Sequence, residues 1–154
     1  MQSIHVSKNT IRSATEDDIL GILVLAKEFS AEAPKTHKWN LQKTNDFLIS
    51  AINNDNMIIF ISEKNGEITG AIVCIVTEMY MSNTVVASEL AWFVSKDLRG
   101  TSTSIKLLKT FEQWGKSKGA NYIGMADIEG IGNLSKLYSR LGYSVTETTY
   151  LKEA

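Results

Sequence analysis

A chain of 154 residues and 17.1 kDa, 44% of them apolar, is the size of one ordinary domain and can bury a core, so a single domain over residues 1–154 is expected. Its 16 Lys and Arg against 17 Asp and Glu leave a formal net charge of −1, which gives no global attraction to nucleic acid or an anionic membrane. One cysteine, Cys74, excludes an internal disulfide; without a long uncharged apolar run or a signal-like N-terminus, a cytoplasmic protein is expected.

Residues 11–14 read as a short extended segment, and Thr15-Glu-Asp-Asp as a helix start, with a hydroxyl cap and acids at the positive end of the dipole. Ile19, Ile22, Leu23, Ala26 and Phe29 mark the buried face of the first helix, and Pro34 ends it. A second helix begins near Asn40, turns Leu41, Phe47, Leu48, Ala51 and Ile52 to one side, and leaves at Asn53-Asn54. Strands follow over residues 57–62 and from Ile68 to about Met79, joined at Asn65-Gly66, where positive φ is cheap. A fourth strand runs from about Val85 to Val94. The third helix buries Ile105, Leu107, Leu108, Phe111 and Trp114, and Gly119 stops it. A fifth strand is expected over residues 122–126, a fourth helix from about Gly132 to Leu141 with Gly142 at its end, and a last strand over residues 143–150. No internal repeat or low-complexity segment is present.

Two segments carry chemistry. Residues 89–108, ELAWFVSKDLRGTSTSIKLL, read as strand, tight polar turn and helix start, which makes an anion site from unpaired amides and the helix dipole. Residues 133–143, NLSKLYSRLGY, place a tyrosine on a short helix closed by Leu-Gly-Tyr. Together, in this order of elements, they resemble the GNAT N-acyltransferases. The resemblance spans residues 11–150 and implies an α/β fold with a mixed, mostly antiparallel central sheet flanked by about four helices.

The turn after the fourth strand in that superfamily follows Arg/Gln-x-x-Gly-x-Gly/Ala and grips the pyrophosphate of acetyl-coenzyme A. Here it falls on Arg99, Gly100, Thr101, Ser102, Thr103 and Ser104, with serines where the two pattern glycines are usual. Backbone amides survive that change, and each hydroxyl is free either to donate to a phosphate oxygen or to cap the helix. The resemblance also implies that the backbone of Trp92, Phe93 and Val94 pairs with the pantetheine arm. It implies Tyr138 as the acid that protonates the departing thiolate, with packing between Leu134 and Leu141 as the alternative. Glu89, a charge in an apolar strand, is the candidate base, either direct or through water. A strand-end glutamate reaching solvent or a lysine is the alternative. By alternation Glu89 shares a face with Ala91 and Phe93. Asn133 stands two residues closer to Tyr138 than the superfamily's asparagine, a position held here by Ile131, and reads first as a helix N-cap.

The implied activity is transfer of an acetyl group from acetyl-CoA to a primary amine by direct attack in a ternary complex. Serines 102 and 104 keep open a degenerate domain that binds coenzyme A or a protein partner without turnover. The acceptor is a small molecule or a protein amine, with Glu32, His37 and Glu78 available to receive a cation, and nothing in the sequence separates polyamine, amino acid, antibiotic or protein lysine. Cys74 reads as a small buried hydrophobe, the two histidines form no metal cluster, a nucleic-acid substrate is disfavoured, and the resemblance leaves a homodimer open.

Overall fold

The computed structural model describes residues 8–33, 35–128 and 133–154. Pro34, Ile131 and Gly132, which the sequence reading uses, lie outside them. The first strand, β1 (Thr10–Ser13), leads into a 3-10 turn at Glu16–Asp18 and then helix α1 (Ile19–Glu32). Asp18 holds this entry together. Its carboxylate accepts the Thr15 N–H at 2.8 Å and takes two hydrogen bonds from the Arg12 guanidinium, both 2.8 Å, while Arg12 also donates twice to Glu63 at 3.0 Å. The Arg12 bonds hold the Asp18 carboxyl down at about 2. A depressed carboxylate stabilises the fold above its unfolded value near pH 4, and that stability is lost as pH falls through the folded value near 2. The contribution is about 1–2 kcal/mol, limited because Arg12 is open to solvent.

Helix α2 (Leu41–Ile52) starts where the Asn40 side chain accepts the Lys43 N–H at 2.9 Å. Leu48 and Ala51 are buried, whereas Leu41 and Phe47, expected on the same face, are exposed. Strands β2 (Met57–Lys64) and β3 (Glu67–Glu78) pair antiparallel through a two-residue turn in which Asn65 and Gly66 have φ of 53° and 76°. Strand β4 (Val85–Val94) pairs antiparallel with β3, helix α3 (Ser102–Ser117) crosses over, and β5 (Tyr122–Gly124) returns parallel to β4. The sheet order is β1-β2-β3-β4-β5. Helix α4 (Ser135–Arg140) follows.

Each face of the sheet has its own core. Ile22, Leu23, Leu25 and Leu48 of α1 and α2 pack on Ile59, Ile61, Val73 and Phe93, while Leu107 and Phe111 of α3 pack on Ile72, Cys74, Ala87 and Val94. A Cβ at Gly115 of α3 would stand 2.7 Å from Ile123 Cδ1 and 2.8 Å from Ala87 Cβ, so the close approach of α3 to β4 and β5 depends on glycine. Among the described residues no helix is long and apolar enough to cross a membrane.

Two strand expectations change. Residues 143–150 form no strand, and Val145 and Tyr150 are exposed. Their Val, Thr and Tyr suit a pleated backbone, but among the described residues they pair with no strand, and Glu147 interrupts any face to bury. Strand β5 stops at Gly124, short of Ala126, because the Ala126 N–H turns to a side chain of β4.

Candidate active site

Strand β4 is irregular at its middle. Ala91 pairs with Val73 and Glu89 with Cys74, so Leu90 is an extra residue, a β-bulge. The bulge reverses the expected alternation. Glu89 lies on the α3 face with its partner Cys74, not with Ala91 and Phe93, which face α1 and α2. Just before the bulge the parallel pairing also ends. Strand β5 meets β4 only at Val86, Ala87 and Ser88, so residues 89–94 have no strand on that side among the described residues. Trp92, Phe93 and Val94 therefore lie on a stretch with one open backbone edge, and the Trp92 Nε1–H there is buried without a hydrogen-bond partner among the described residues.

Ala126 stands at the fork. Its N–H donates to Glu89 Oε1 at 2.9 Å, and its carbonyl accepts the Tyr138 hydroxyl at 2.7 Å. Two side chains nearly fifty residues apart thus meet on one peptide segment. Burial pushes the Glu89 carboxyl above its ordinary value, partly opposed by the Ala126 N–H. Burial first, then the charges of Glu89 and Asp127, push the Tyr138 phenol up, so it holds its proton at neutral pH. Burial first, then the Glu89 charge, pushes the Cys74 thiol up, and that side chain, fully buried, is a core residue.

The Leu-Gly-Tyr signal explains how Tyr138 is held. Gly142 has φ of 90°, its N–H donates to Ser139 O at 3.2 Å, and the Tyr143 N–H donates to Tyr138 O at 2.9 Å. This pair of bonds is the Schellman stop, and the usual contact across it is present as the Tyr138 and Tyr143 rings, 5.6 Å apart. At the other end, Asn133 Oδ1 accepts the Ser135 N–H at 3.2 Å and its hydroxyl at 2.6 Å. Asn133 thereby does the work of a cap from one position before the N-cap residue, Leu134.

The polar turn lies between β4 and α3. Gly100 has φ of 73° with open space around its would-be Cβ, Ser102 is exposed, and Thr103 and Ser104 are buried. No side chain caps α3 and no acid lies in its first turn. Thr101 Oγ1 donates back to Leu98 O, and Ser104 Oγ donates to Thr101 O at 2.9 Å. The Ser104 hydroxyl is thus already committed, neither capping the helix nor pointing a proton outward. First-turn amides left uncapped beside basic residues fit a pyrophosphate.

Arg99 is engaged elsewhere. Its Nε donates to Val94 O at 3.2 Å and its Nη2 lies 2.7 Å from Glu32 Oε2, while Lys96 Nζ lies 2.9 Å from Glu32 Oε1. Lys96 and then Arg99 hold the Glu32 carboxyl below its usual range. Glu32, expected as a receiver of a cationic acceptor, is therefore ion-paired with two cations of the chain itself. Glu78 is no better placed, since it pairs with Val85 at the start of β4, away from the bulge. On the α1 and α2 side, a cavity of about 220 Å³ does touch the second half of β4, at Ala91 and Phe93, and His37 reaches its lining. A larger one of about 320 Å³ opens around the start of β2 and includes no residue of β4 or of the turn.

Sequence reasoning missed the Leu90 bulge, the role of Ala126 and the Glu32 clamp. The Tyr143 contact was within reach of the Leu-Gly-Tyr pattern. Among the described residues no group of three or more His, Cys, Asp or Glu is arranged to hold a metal.

Comparison with known proteins agrees with this architecture. No curated protein sequence matches. The aminoglycoside N-acetyltransferase AAC(6')-Iy in complex with CoA shares the fold at a TM-score of 0.79 and 17% identity, over 99% of each chain. Glucosamine-6-phosphate N-acetyltransferase from Arabidopsis thaliana does so at 0.75 and 14% identity, over 95% of this chain and 98% of its own. An acetyltransferase of Trypanosoma brucei gives 0.75 and 15%, over 96% of this chain and 100% of its own. Such identities speak for the fold alone, but the model of the acetyltransferase (GNAT) family matches residues 22–143, most of the chain and all of the bulge, turn and Tyr138 helix, so the protein belongs to the GNAT acetyltransferase family.

Proposed function

We propose that this protein is an acetyl-CoA-dependent N-acetyltransferase acting on a primary amine by direct attack in a ternary complex. One observation carries the reading. Glu89 and Tyr138, a carboxylate and a phenol both shifted upward by burial, converge on Ala126 where β4 and β5 part. Acetyl-CoA, when bound, supplies an activated acetyl group and a thiolate leaving group. The amides of Ser102, Thr103 and Ser104 hold its pyrophosphate, and Arg99 and Lys96 add positive charge nearby. The open edge of Trp92, Phe93 and Val94 orients the pantetheine arm.

Tyr138 donates the proton that the departing sulfur needs. To do so it gives up its bond to the Ala126 carbonyl, at a cost of about 1 kcal/mol, small beside the value of a placed acid. Glu89 takes the amine proton through water from the fork between β4 and β5. A carboxyl raised by burial is a stronger base than an ordinary glutamate. Asn133 positions Tyr138 by fixing the start of α4. The named relatives acetylate aminoglycosides and glucosamine-6-phosphate, which supports a small-molecule amine as the acceptor class.

The alternative, coenzyme binding without turnover, draws on Arg99 and Ser104, whose polar groups are tied up within the chain. Purified protein separates the two. Acetyl-CoA at about a hundred times its Kd should stabilise the fold by roughly 2.7 kcal/mol in thermal melts, and an amine panel should release thiol. A melt that ignores millimolar acetyl-CoA would remove both readings. A clear melt shift without thiol release from any amine would leave the binding module.

A further inference from the structure

We infer that the acceptor is a small primary amine carrying one uncharged aromatic ring on a short arm and no second cationic group. This rests on the acetyltransferase reading for the place of the thioester. The approach to the second half of β4 from α1 and α2 is the 220 Å³ cavity, and its walls include Phe29, Trp39, Phe47 and Phe93. Phe29 and Phe93 form one tilted pair, ring centroids 5.7 Å apart at 32°. Phe47 is left 40% exposed at the margin.

The charge around this cavity decides against polycations. Among the described residues no Asp or Glu lines it, and the ionisable ones that do are His37 and Lys38. Glu32, the carboxylate at the end of α1, is clamped by Lys96 and Arg99. A polyamine or aminoglycoside would bring several ammonium groups against a wall whose described residues offer no anion, each losing water without a partner. An aromatic ring meets faces and edges that match it. An apolar cavity of about 150 Å³ accepts a benzene ring, so about 220 Å³ has room for one ring and a short arm. Ala91 and Phe93, from the open half of β4, form the side of the cavity nearest the proposed thioester.

The test is turnover of 2-phenylethylamine, n-butylamine, spermidine and kanamycin by wild type and Phe47→Ala, with thiol release as readout and calorimetric binding of 2-phenylethylamine in parallel. Wild type should show kcat/KM for 2-phenylethylamine about ten- to a hundredfold above n-butylamine and above both polycations, the range expected for burying one ring. Phe47→Ala should lose most of that preference through KM for 2-phenylethylamine, with a smaller loss for n-butylamine and an unchanged acetyl-CoA melt shift. Spermidine or kanamycin outrunning 2-phenylethylamine would overturn the inference while leaving the acetyltransferase reading intact. So would a Phe47→Ala protein that loses both monoamines equally. If no amine releases thiol, the acetyltransferase reading fails, and the cavity is judged by calorimetry: 2-phenylethylamine bound by wild type and not by Phe47→Ala upholds the aromatic site, and no binding overturns it.

Discussion

The two halves of β4 are built for different purposes. Residues 85–88 have β3 on one side and β5 on the other, and Ala87 is pressed under Gly115 of α3. Among the described residues, 89–94 have β3 alone, begin with a bulge, and carry a half-buried carboxylate and an indole N–H without a partner. Satisfied ladders and tight packing make the first half a stability element. The second half keeps polar groups that an isolated fold would rather pair, which is the usual mark of a surface awaiting a ligand. Substitutions in the first half should therefore move the melting temperature, and those around the second should move turnover.

The largest effect is expected at Tyr138. Tyr138→Phe keeps the ring packed against Tyr143 and removes only the hydroxyl that reaches Ala126, so it should lower kcat about 10²–10⁴-fold with the acetyl-CoA melt shift unchanged. The lost hydrogen bond should cost about 1 kcal/mol of stability. Full activity in this variant would refute Tyr138 as an obligatory acid.

Glu89→Gln tests the other side of the fork. Gln still accepts the Ala126 N–H, so the local geometry should survive. Wild-type kcat/KM should fall as pH drops through a carboxyl value raised above the ordinary glutamate, and the variant should lose that acidic limb along with ~10²-fold of rate. Stability runs the other way. A raised carboxyl favours the fold while protonated, and that contribution is lost as pH rises through its folded value, so the neutral variant should melt no lower than wild type at pH 7. An acidic limb that stays at full height would leave Glu89 as a tie for Ala126 and assign the proton to water.

How much of this was legible in the sequence follows the same division. The bounds of β4, 85–94, could be read because both halves are apolar, and the stop after α4 because glycine between Leu141 and Tyr143 signals a left-handed residue. The bulge could not, since one extra residue changes neither composition nor hydropathy, yet it carries Glu89 across the sheet. Ala126 acts only through its backbone and leaves no trace in a side-chain code. Glu32 and Arg99 are joined by tertiary packing alone, so each was read separately, one as acceptor site and one as phosphate grip. The supposed last strand shows the opposite error, propensity without a partner.

Gly115→Val probes the first half of β4. The new side chain would collide with Ile123 and Ala87, so the fold should lose about 1–3 kcal/mol, a drop of several degrees in Tm, while activity per folded molecule at low temperature should stay near wild type. A variant with unchanged Tm but lost turnover would show that the packed half reports directly to the fork, and would undo the division.

The smallest effect is expected from Glu32→Gln, which asks whether the clamp on Arg99 competes with the coenzyme or prepares for it. In this structure Arg99 and Lys96 both spend charge on Glu32, and a bound pyrophosphate offers them a stronger anion. If the carboxylate competes, its neutral variant should bind acetyl-CoA a few-fold more tightly, the scale expected for exposed ion pairs, with the gain fading as salt screens the contest. Titration calorimetry at low and high ionic strength gives both numbers. Weaker binding in the variant would mean that Glu32 aims Arg99 at the turn, making the end of α1 part of the coenzyme site. That outcome would also join the α1 side of the cavity to the open half of β4 through a single side chain, since Arg99 already holds the Val94 carbonyl.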